Sequence, residues 1–278
     1  MIDSHIHSYY SKHAIGTIEE IVVSAIEKNI KYLTITDHAP FLIDKNNRLQ
    51  DYELKYYFED INTVQSKYSK DITILKGLEV DFVPKYISYT ENLISDMNLD
   101  FLIGSIHFIF FENERINIWD IHKIHDEKVV SKYFLYLKEL ILSGLFDSIG
   151  HPDAILRGGI DEKIYYEKFF PLIKLMKLKN TSYELNTSGL RKSTYDINTN
   201  SENNGIWNYP CKSLLSTLNN NNISFTIGSD AHNPNEINMG IQHILKIIKN
   251  VGIEKISYYQ NRNIVNIDID KCIKKDNE

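Results

Sequence analysis

Asp3-Ser4-His5-Ile6-His7 spends two histidines, one residue apart, at the very start of the chain. In an extended strand, residues i and i+2 point to the same face, so His5 and His7 can aim two imidazoles at one point. Neutral imidazole is the commonest protein metal ligand. A strand with a polar face also reads H-x-H, so the pair alone leaves both readings open. The rest of the chain bears on the choice. His38, Glu79, His107, His151 and then Asp230 with His232 each come at the end of a short apolar segment, and His13 lies in the loop after the first of them. Seven of the ten histidines fall this way, whereas His122, His125 and His243 scatter among helices and loops.

These nine residues are too many for one ion, since a tetrahedral zinc takes about four ligands. A mixed imidazole and carboxylate set suits zinc, iron or manganese. The expected cofactor is therefore two or three divalent ions, with a carboxylate able to bridge. Adjacent divalent ions activate water and clamp the oxygens of an in-line displacement, which points to phosphoester hydrolysis. Two arginines sit in loops beside the ligands, Arg157 six residues past His151 and Arg191 in the turn after Glu184-Leu185. Guanidinium makes bidentate contacts with phosphate. Asp37, Asp81 and Asp153 neighbour candidate ligands and read either as acceptors that orient an imidazole or as ordinary turn residues. Asn186, Ser188 and Gly189 are candidate hydrogen-bonding groups near a phosphate. The aromatic-rich stretch Phe108 to Trp119 reads either as a wall for a substrate or as a packing loop.

Positioning such residues requires elements that bring distant segments to one place. The chain repeats a short apolar strand, a polar turn and an amphipathic helix, about seven times. Strands are expected at about Ile2–His5, Lys31–Thr36, Ile72–Leu78, Phe101–Ile106, Asp147–Gly150, Ser182–Leu185 and Ser224–Ile227. The helix after the first strand opens with a capping-box spacing, Thr17 and Glu20, and carries its apolar stripe on Ile18, Ile21, Val22, Ala25 and Ile26. Phe108 to Glu127 and Tyr195 to Trp207 read as irregular or loop segments. Lys255 to Ile269 reads as apolar alternation that covers one end of the fold. Residues 270–278 are charged and expected to fray. Alternating strands and helices imply a parallel sheet with crossover connections. In a (β/α) barrel all strand C-termini share one mouth, where active sites are built.

The 278 residues suit one barrel of about 250 residues, and no linker breaks the composition, so a single domain over 1–278 is expected. A net charge of −6 without a basic run argues against a nucleic-acid groove. The two cysteines, Cys211 and Cys272, form neither a disulfide framework nor a metal site. The N-terminus lacks the basic and apolar regions of a leader, and no apolar run is long enough to span a bilayer. A cytoplasmic protein without membrane partners is expected.

In order, DSHIHS, His13, ITDHAP, GLEVDF, GSIHF, GHPD and GSDAH resemble the motifs of the PHP (polymerase and histidinol phosphatase) superfamily. ELNTSGLRK, residues 184–192, resembles its monofunctional histidinol-phosphatase branch. The resemblance implies a distorted seven-stranded (β/α) barrel with a trinuclear metal centre at the strand C-terminal mouth. It implies that His5, His7, Glu79 and Asp230 hold the first ion, and that Glu79 bridges to a second held by His107 and His151. His13, His38 and His232 would hold the third. Glu79 and Asp230 would be the catalytic carboxylates, and Arg157 and Arg191 would bind phosphate. The implied activity is hydrolysis of L-histidinol phosphate in histidine biosynthesis. The alternatives within the superfamily are another phosphatase, such as one acting on phosphotyrosine, or a nuclease. The expected partner is a small phosphorylated metabolite, and assembly as a homo-oligomer stays open.

Overall fold

Apolar segments flanked by turn residues become strands, and the crossovers between them become helices. In the computed structural model, which describes residues 1–112, 114–204 and 207–273, the strands are β1 (Ile2–Asp3), β2 (Tyr32–Ile35), β3 (Thr73–Asp81), β4 (Phe101–Ser105), β5 (Phe108–Phe111), β6 (Glu114–Asn117), β7 (Ser148–Ile149), β8 (Ser182–Asn186), β9 (Thr194–Asp196), β10 (Ser201–Asn203), β11 (Phe225–Gly228), β12 (Lys255–Gln260) and β13 (Asn263–Asp268). The helices are α1 (Ile18–Glu27), α2 (Leu54–Lys67), α3 (Ile87–Ile94), α4 (Glu127–Ser143), α5 (Glu162–Lys179), α6 (Lys212–Asn220) and α7 (Ile241–Asn250). The fold is α/β with one central sheet in the order β1-β2-β3-β4-β7-β8-β11-β12-β13. Every pairing in it is parallel except β12 with β13. A parallel run delivers the C-terminal ends of all its strands to the same side.

The chain just after β1 also meets the chain at and after β11. Ser4 N–H donates to Ile227 O at 2.9 Å, Asp230 N–H to His5 O at 2.8 Å and His7 N–H to Ala231 O at 2.9 Å. β1 is thus held on both flanks although it is only two residues long. The expected strand to His5 is shorter for this reason: beyond Asp3 the chain takes its hydrogen bonds from two neighbours rather than one ladder. Helix α1 has the expected capping box, with Glu20 N–H donating to the Thr17 hydroxyl at 3.2 Å and Thr17 N–H to Glu20 at 2.7 Å. Ile18, Ile21, Val22 and Ala25 are buried beneath it.

Two expected loops contain strands. Phe108–Phe111 and Glu114–Asn117 pair as an antiparallel hairpin, and Thr194–Asp196 pairs with Ser201–Asn203. Both are short hairpins outside the central sheet, with little period-two burial to mark them. The expectation for Lys255 to Ile269 gains a structure. β12 pairs with β11 and lies across the N-terminal starts of other strands: Tyr258 stacks on Tyr32 with centroids 4.4 Å apart, and Tyr259 on Phe101 at 5.2 Å. The tail is partly anchored rather than frayed, because Ile269–Lys271 forms a 3-10 turn that buries Ile269 and Cys272. Residues 274–278 of that expectation lie outside the described residues. Both cysteines are free and buried. Among the described residues no helix is long and apolar enough to cross a membrane.

Candidate metal centre

All nine candidate ligands lie on the C-terminal side of the parallel strands, and the fold brings them into contact. His5 and His7 follow β1, His13 follows the short turn Tyr9–Ser11, His38 follows β2, and Glu79 lies within β3. His107 follows β4, His151 follows β7, and Asp230 and His232 follow β11. Glu79 is the hub. Its Oε2 lies 2.9 Å from His38 Nδ1 and 3.4 Å from both His5 Nε2 and His7 Nε2. Its Oε1 lies 3.0 Å from His151 Nε2 and 3.4 Å from His107 Nε2. Asp230 Oδ1 is 3.3 Å from His7 Nε2. Three pairs of imidazoles face each other through Nε2: His5 with His7 at 3.1 Å, His107 with His151 at 3.2 Å, and His13 with His232 at 3.0 Å.

That donor set fits metal ions. At most one proton can occupy each facing nitrogen pair, and most of these groups are buried. Like groups turned toward one another away from water are costly unless a cation shares them. Three subsets have their ligand atoms mutually within 4.8 Å: His5, His7 and Asp230; His7, His38 and His232; and His38, Glu79 and His107. His38 belongs to two of them, so it borders the Glu79 side of the cluster as well as the His232 side.

The electrostatics agree. Burial opposes charge on Glu79, but His5, His107 and His38 outweigh it and hold the carboxyl well below the usual range. Burial opposes charge on Asp230 too, where His5, His7 and His232 outweigh it. Burial lowers His5, yet Glu184, Glu79 and Asp230 together raise it well above an ordinary imidazole. His107, likewise buried, is raised to about 10 by Asp81 and Glu79. Burial and the neighbouring imidazoles His232 and His38 pull His7 well down, and burial takes His38 to about 4. Imidazoles of one type are thus split, raised where carboxylates outweigh burial and lowered where burial prevails, as expected where functional groups share a site.

Backbone and packing fix the ligands. His151 and Asp230 adopt left-handed φ of 28° and 52°, a conformation that costs a non-glycine residue energy and concentrates at functional sites. Gly228 is required at the end of β11, where an added Cβ would sit 2.3 Å from His5 Cβ and 2.8 Å from Glu184 Oε1. Four rings are held through Nδ1, leaving Nε2 turned inward. Glu184 accepts from His5 at 2.6 Å and Asp81 from His107 at 2.7 Å. His7 Nδ1 lies 3.2 Å from Ser11 Oγ, and His232 Nδ1 donates to Asp230 O at 3.0 Å.

The open readings now divide. Asp81 orients an imidazole and also pairs with Arg48. Asp37 instead meets serines: it accepts from Ser8 N–H at 2.8 Å and from Ser11 Oγ at 2.6 Å, and so holds the loop that carries His7. Asp153 accepts from Tyr183 OH at 2.6 Å and from Cys211 N–H, joining β8 to the start of α6. Ser188 Oγ lies 3.0 Å from Asp230 Oδ2, with Asn186 Nδ2 at 3.4 Å from the same oxygen, so both bear on a candidate ligand. Arg191 donates to Ser229 O at 2.8 Å, and its buried Nη1 has no hydrogen-bond partner among the described residues. Arg157 donates to Ser193 O at 2.9 Å and stacks over Trp119 at 5.2 Å. Trp119 in turn lies 5.3 Å from the His151 ring. Both arginines therefore border the cluster without contacting its ligand atoms. His122 is apart from it, paired with Glu202 at 3.1 Å.

Glu184 is a residue whose role the sequence reading missed. It is buried, accepts from His5 Nδ1 and from His151 N–H at 2.5 Å, and ties β8 to the loops after β1 and β7. A carboxylate between Tyr183 and Leu185 in an expected strand was the available signal, of the same kind as Glu79 between Leu78 and Val80. Arg48 was also missed, and nothing in its polar loop marks it.

Known proteins share this architecture. A relative named as a probable histidinol-phosphatase from Deinococcus radiodurans is 26% identical over 264 residues, 93% of this chain and 96% of the relative. The Bacillus subtilis DNA polymerase/3'-5' exonuclease PolX is 28% identical over 83% of this chain but only 34% of its own length. The structure of histidinol phosphate phosphatase from Lactococcus lactis, solved with zinc, L-histidinol and phosphate, superposes with a TM-score of 0.78 at 22% identity, covering 95% of this chain and 98% of that one. The PHP domain family model matches residues 3–188, from the aspartate before His5 to the serine that touches Asp230. The chain belongs to the PHP family.

Proposed function

We propose that this chain is a metal-dependent phosphomonoesterase that hydrolyses L-histidinol phosphate to L-histidinol and phosphate. The observation that carries the reading is the convergence of His and carboxylate groups from successive strand ends on the two oxygens of Glu79. The full-length relationship to a probable histidinol-phosphatase supports the substrate class. The fold shared with a phosphatase that was solved with zinc, L-histidinol and phosphate supports it as well. The hydrogen bonds joining the chain after β1 to that around β11 support reading seven parallel strands as a distorted barrel within one domain spanning 1–278.

In this reading His5, His7, Glu79 and Asp230 hold one divalent ion, Glu79 with His107 and His151 a second, and His13, His38 and His232 a third, drawn from zinc, iron or manganese. Bound there, the ions supply Lewis-acid charge and activate water. Glu79 and Asp230, held well below the usual carboxylate range, remain anions and balance the cationic charge. Arg191, anchored on the backbone carbonyl of Ser229, turns its remaining guanidinium N–H groups to the phosphate. Arg157, pinned between Ser193 and Trp119, offers a second guanidinium to the phosphate. The partner is a small cytoplasmic metabolite rather than nucleic acid or membrane, and homo-oligomerisation is compatible with it.

A phosphate-release panel tests this, with histidinol phosphate, phosphotyrosine and an oligonucleotide assayed against protein of measured metal content. Histidinol phosphate is expected to exceed the others by about a hundredfold in kcat/KM. Comparable rates for phosphotyrosine would remove the substrate assignment, and nuclease activity would move the chain toward the chemistry of its polymerase-associated relatives.

A further inference from the structure

Beside the cluster lies a cavity of about 300 Å3 that opens directly onto His13, His38 and His107. Its far side is built from the β5–β6 hairpin and the loop before α2. Phe108 and Trp119 give it aromatic surface, Asn117 gives it an amide, and Asp44 gives it a carboxylate. Among the described residues that line it, Asp44 is the only acid. Asp44 stands in a left-handed backbone conformation, φ 54°, that fixes where its side chain leaves the chain. One carboxylate oxygen accepts from Asn47 Nδ2 at 2.7 Å. Among the described residues, the other has the Arg48 guanidinium 3.9 Å away. That guanidinium is already committed to Asp81, so it leaves most of the Asp44 charge uncompensated.

We infer that this cavity receives the alcohol half of the substrate, and that Asp44 determines specificity by pairing with a primary ammonium group on it. The inference rests on the phosphatase reading above. It follows from charge. A centre of divalent ions flanked by Arg157 and Arg191 attracts the phosphate of any monoester but repels a cationic leaving group. An alcohol bearing an ammonium needs a local anion to offset that repulsion, and Asp44 is the anion at the cavity wall. The Asp44 side chain is partly exposed, so a group entering the cavity can reach it. The aromatic faces of Phe108 and Trp119 suit a flat heteroaromatic ring beside the ammonium.

Three phosphate esters separate the outcomes: histidinol phosphate, its des-amino analogue imidazolylpropyl phosphate, and p-nitrophenyl phosphate. The wild-type protein should prefer histidinol phosphate over the des-amino ester. Asp44→Asn, nearly isosteric, should lower that preference ratio of kcat/KM by about tenfold to a hundredfold, the scale of one charge-assisted hydrogen bond. The loss should sit mainly in KM, with metal content equal to wild type, and Asp44→Glu should recover part of it. An equal fall on all three esters would overturn the inference, because Asp44 would then act on the centre or the fold. An unchanged ratio would overturn it as well. If the wild-type protein itself shows no preference for histidinol phosphate over p-nitrophenyl phosphate, the substrate reading fails and takes this inference with it.

Discussion

The two ends of the parallel sheet bury polar groups in opposite ways. At the N-terminal end, Asp147, Tyr259 and Asp100 meet complementary groups. Asp147 accepts from Arg262 Nε at 2.6 Å and from Leu102 N–H at 2.8 Å, and its own carbonyl accepts from Tyr259 OH at 3.1 Å. The Tyr259 hydroxyl also hydrogen-bonds Ser182 Oγ at 2.7 Å, and Asp100 accepts from Lys76 N–H and Asn261 N–H. At the C-terminal end, like faces like: three imidazole pairs approach within 3.2 Å, and Glu79 draws five imidazoles around two oxygens. A polar cluster that is complete in itself contributes to the fold. One that is complete only with a cation contributes to chemistry, and its stability becomes linked to that cation. Disturbing the upper end should therefore cost activity and metal, and disturbing the lower end should cost stability alone.

The largest break is Glu79→Gln. An amide cannot serve as a shared anionic ligand, so kcat/KM should fall by about a thousandfold or more, with metal lost in the same preparation. The metal-free protein should also lose stability, by about 3–5 kcal/mol, since the buried imidazoles of His5 and His107 lose the anion that raises them. Full activity with intact metal would refute the hub. Glu184→Gln comes next. It keeps the shape but weakens the acceptor on His5 Nδ1, and chelator competition should find metal binding about 10- to 100-fold weaker. Arg262→Ala is the counterpart at the lower end. It leaves Asp147 short of its charged partner, but Arg262 is partly exposed, so screening limits the cost to about 1–2 kcal/mol in urea unfolding. Its kcat should equal that of wild type; a tenfold loss would show that the two ends are coupled.

The difference between the ends also explains what could be read from the chain alone. His5, His7, His38, His107 and His151 were legible because a histidine directly after an apolar strand has few structural reasons to be there. The parallel alternation was legible because α1 has a capping box and a periodic apolar stripe, and β3 and β4 are short, largely apolar runs that end at polar turns. The lower end was read only as a covering segment. Its Tyr258 and Tyr259 are ordinary alternating strand residues, and their partners Tyr32 and Phe101 become neighbours only when the hairpin folds across the sheet. The hairpins β5–β6 and β9–β10 escaped because three- and four-residue strands carry almost no periodic signal. Asp37 and Asp81 illustrate the limit: each stands next to or two residues from a candidate ligand, yet one meets serines and the other an imidazole and an arginine.

The smallest effect, and the one that compares the ends most directly, is in the pH dependence of the metal-free protein. Asp81 and Asp147 are both buried aspartates with an arginine partner, but their acidities move in opposite directions from the same ordinary value of 3.8. For Asp81, burial is outweighed by Arg48 and His107, and the carboxyl is held below that value. The stability it contributes is present above pH 3.8 and is lost as the pH falls toward its folded-state pKa. For Asp147, burial outweighs the half-exposed Arg262, and the carboxyl is raised. Its contribution is present below pH 3.8 and is lost as the pH rises through its folded-state pKa. Asp81→Asn should therefore flatten the acid side of a plot of unfolding free energy against pH, whatever it does to absolute stability. Asp147→Asn should remove a component that falls with rising pH. Urea unfolding of chelator-treated protein at a series of pH values reads both slopes. Slopes that change in the same direction for the two variants would mean that the arginine partners, rather than the surroundings of each end, set the charge of these buried carboxylates.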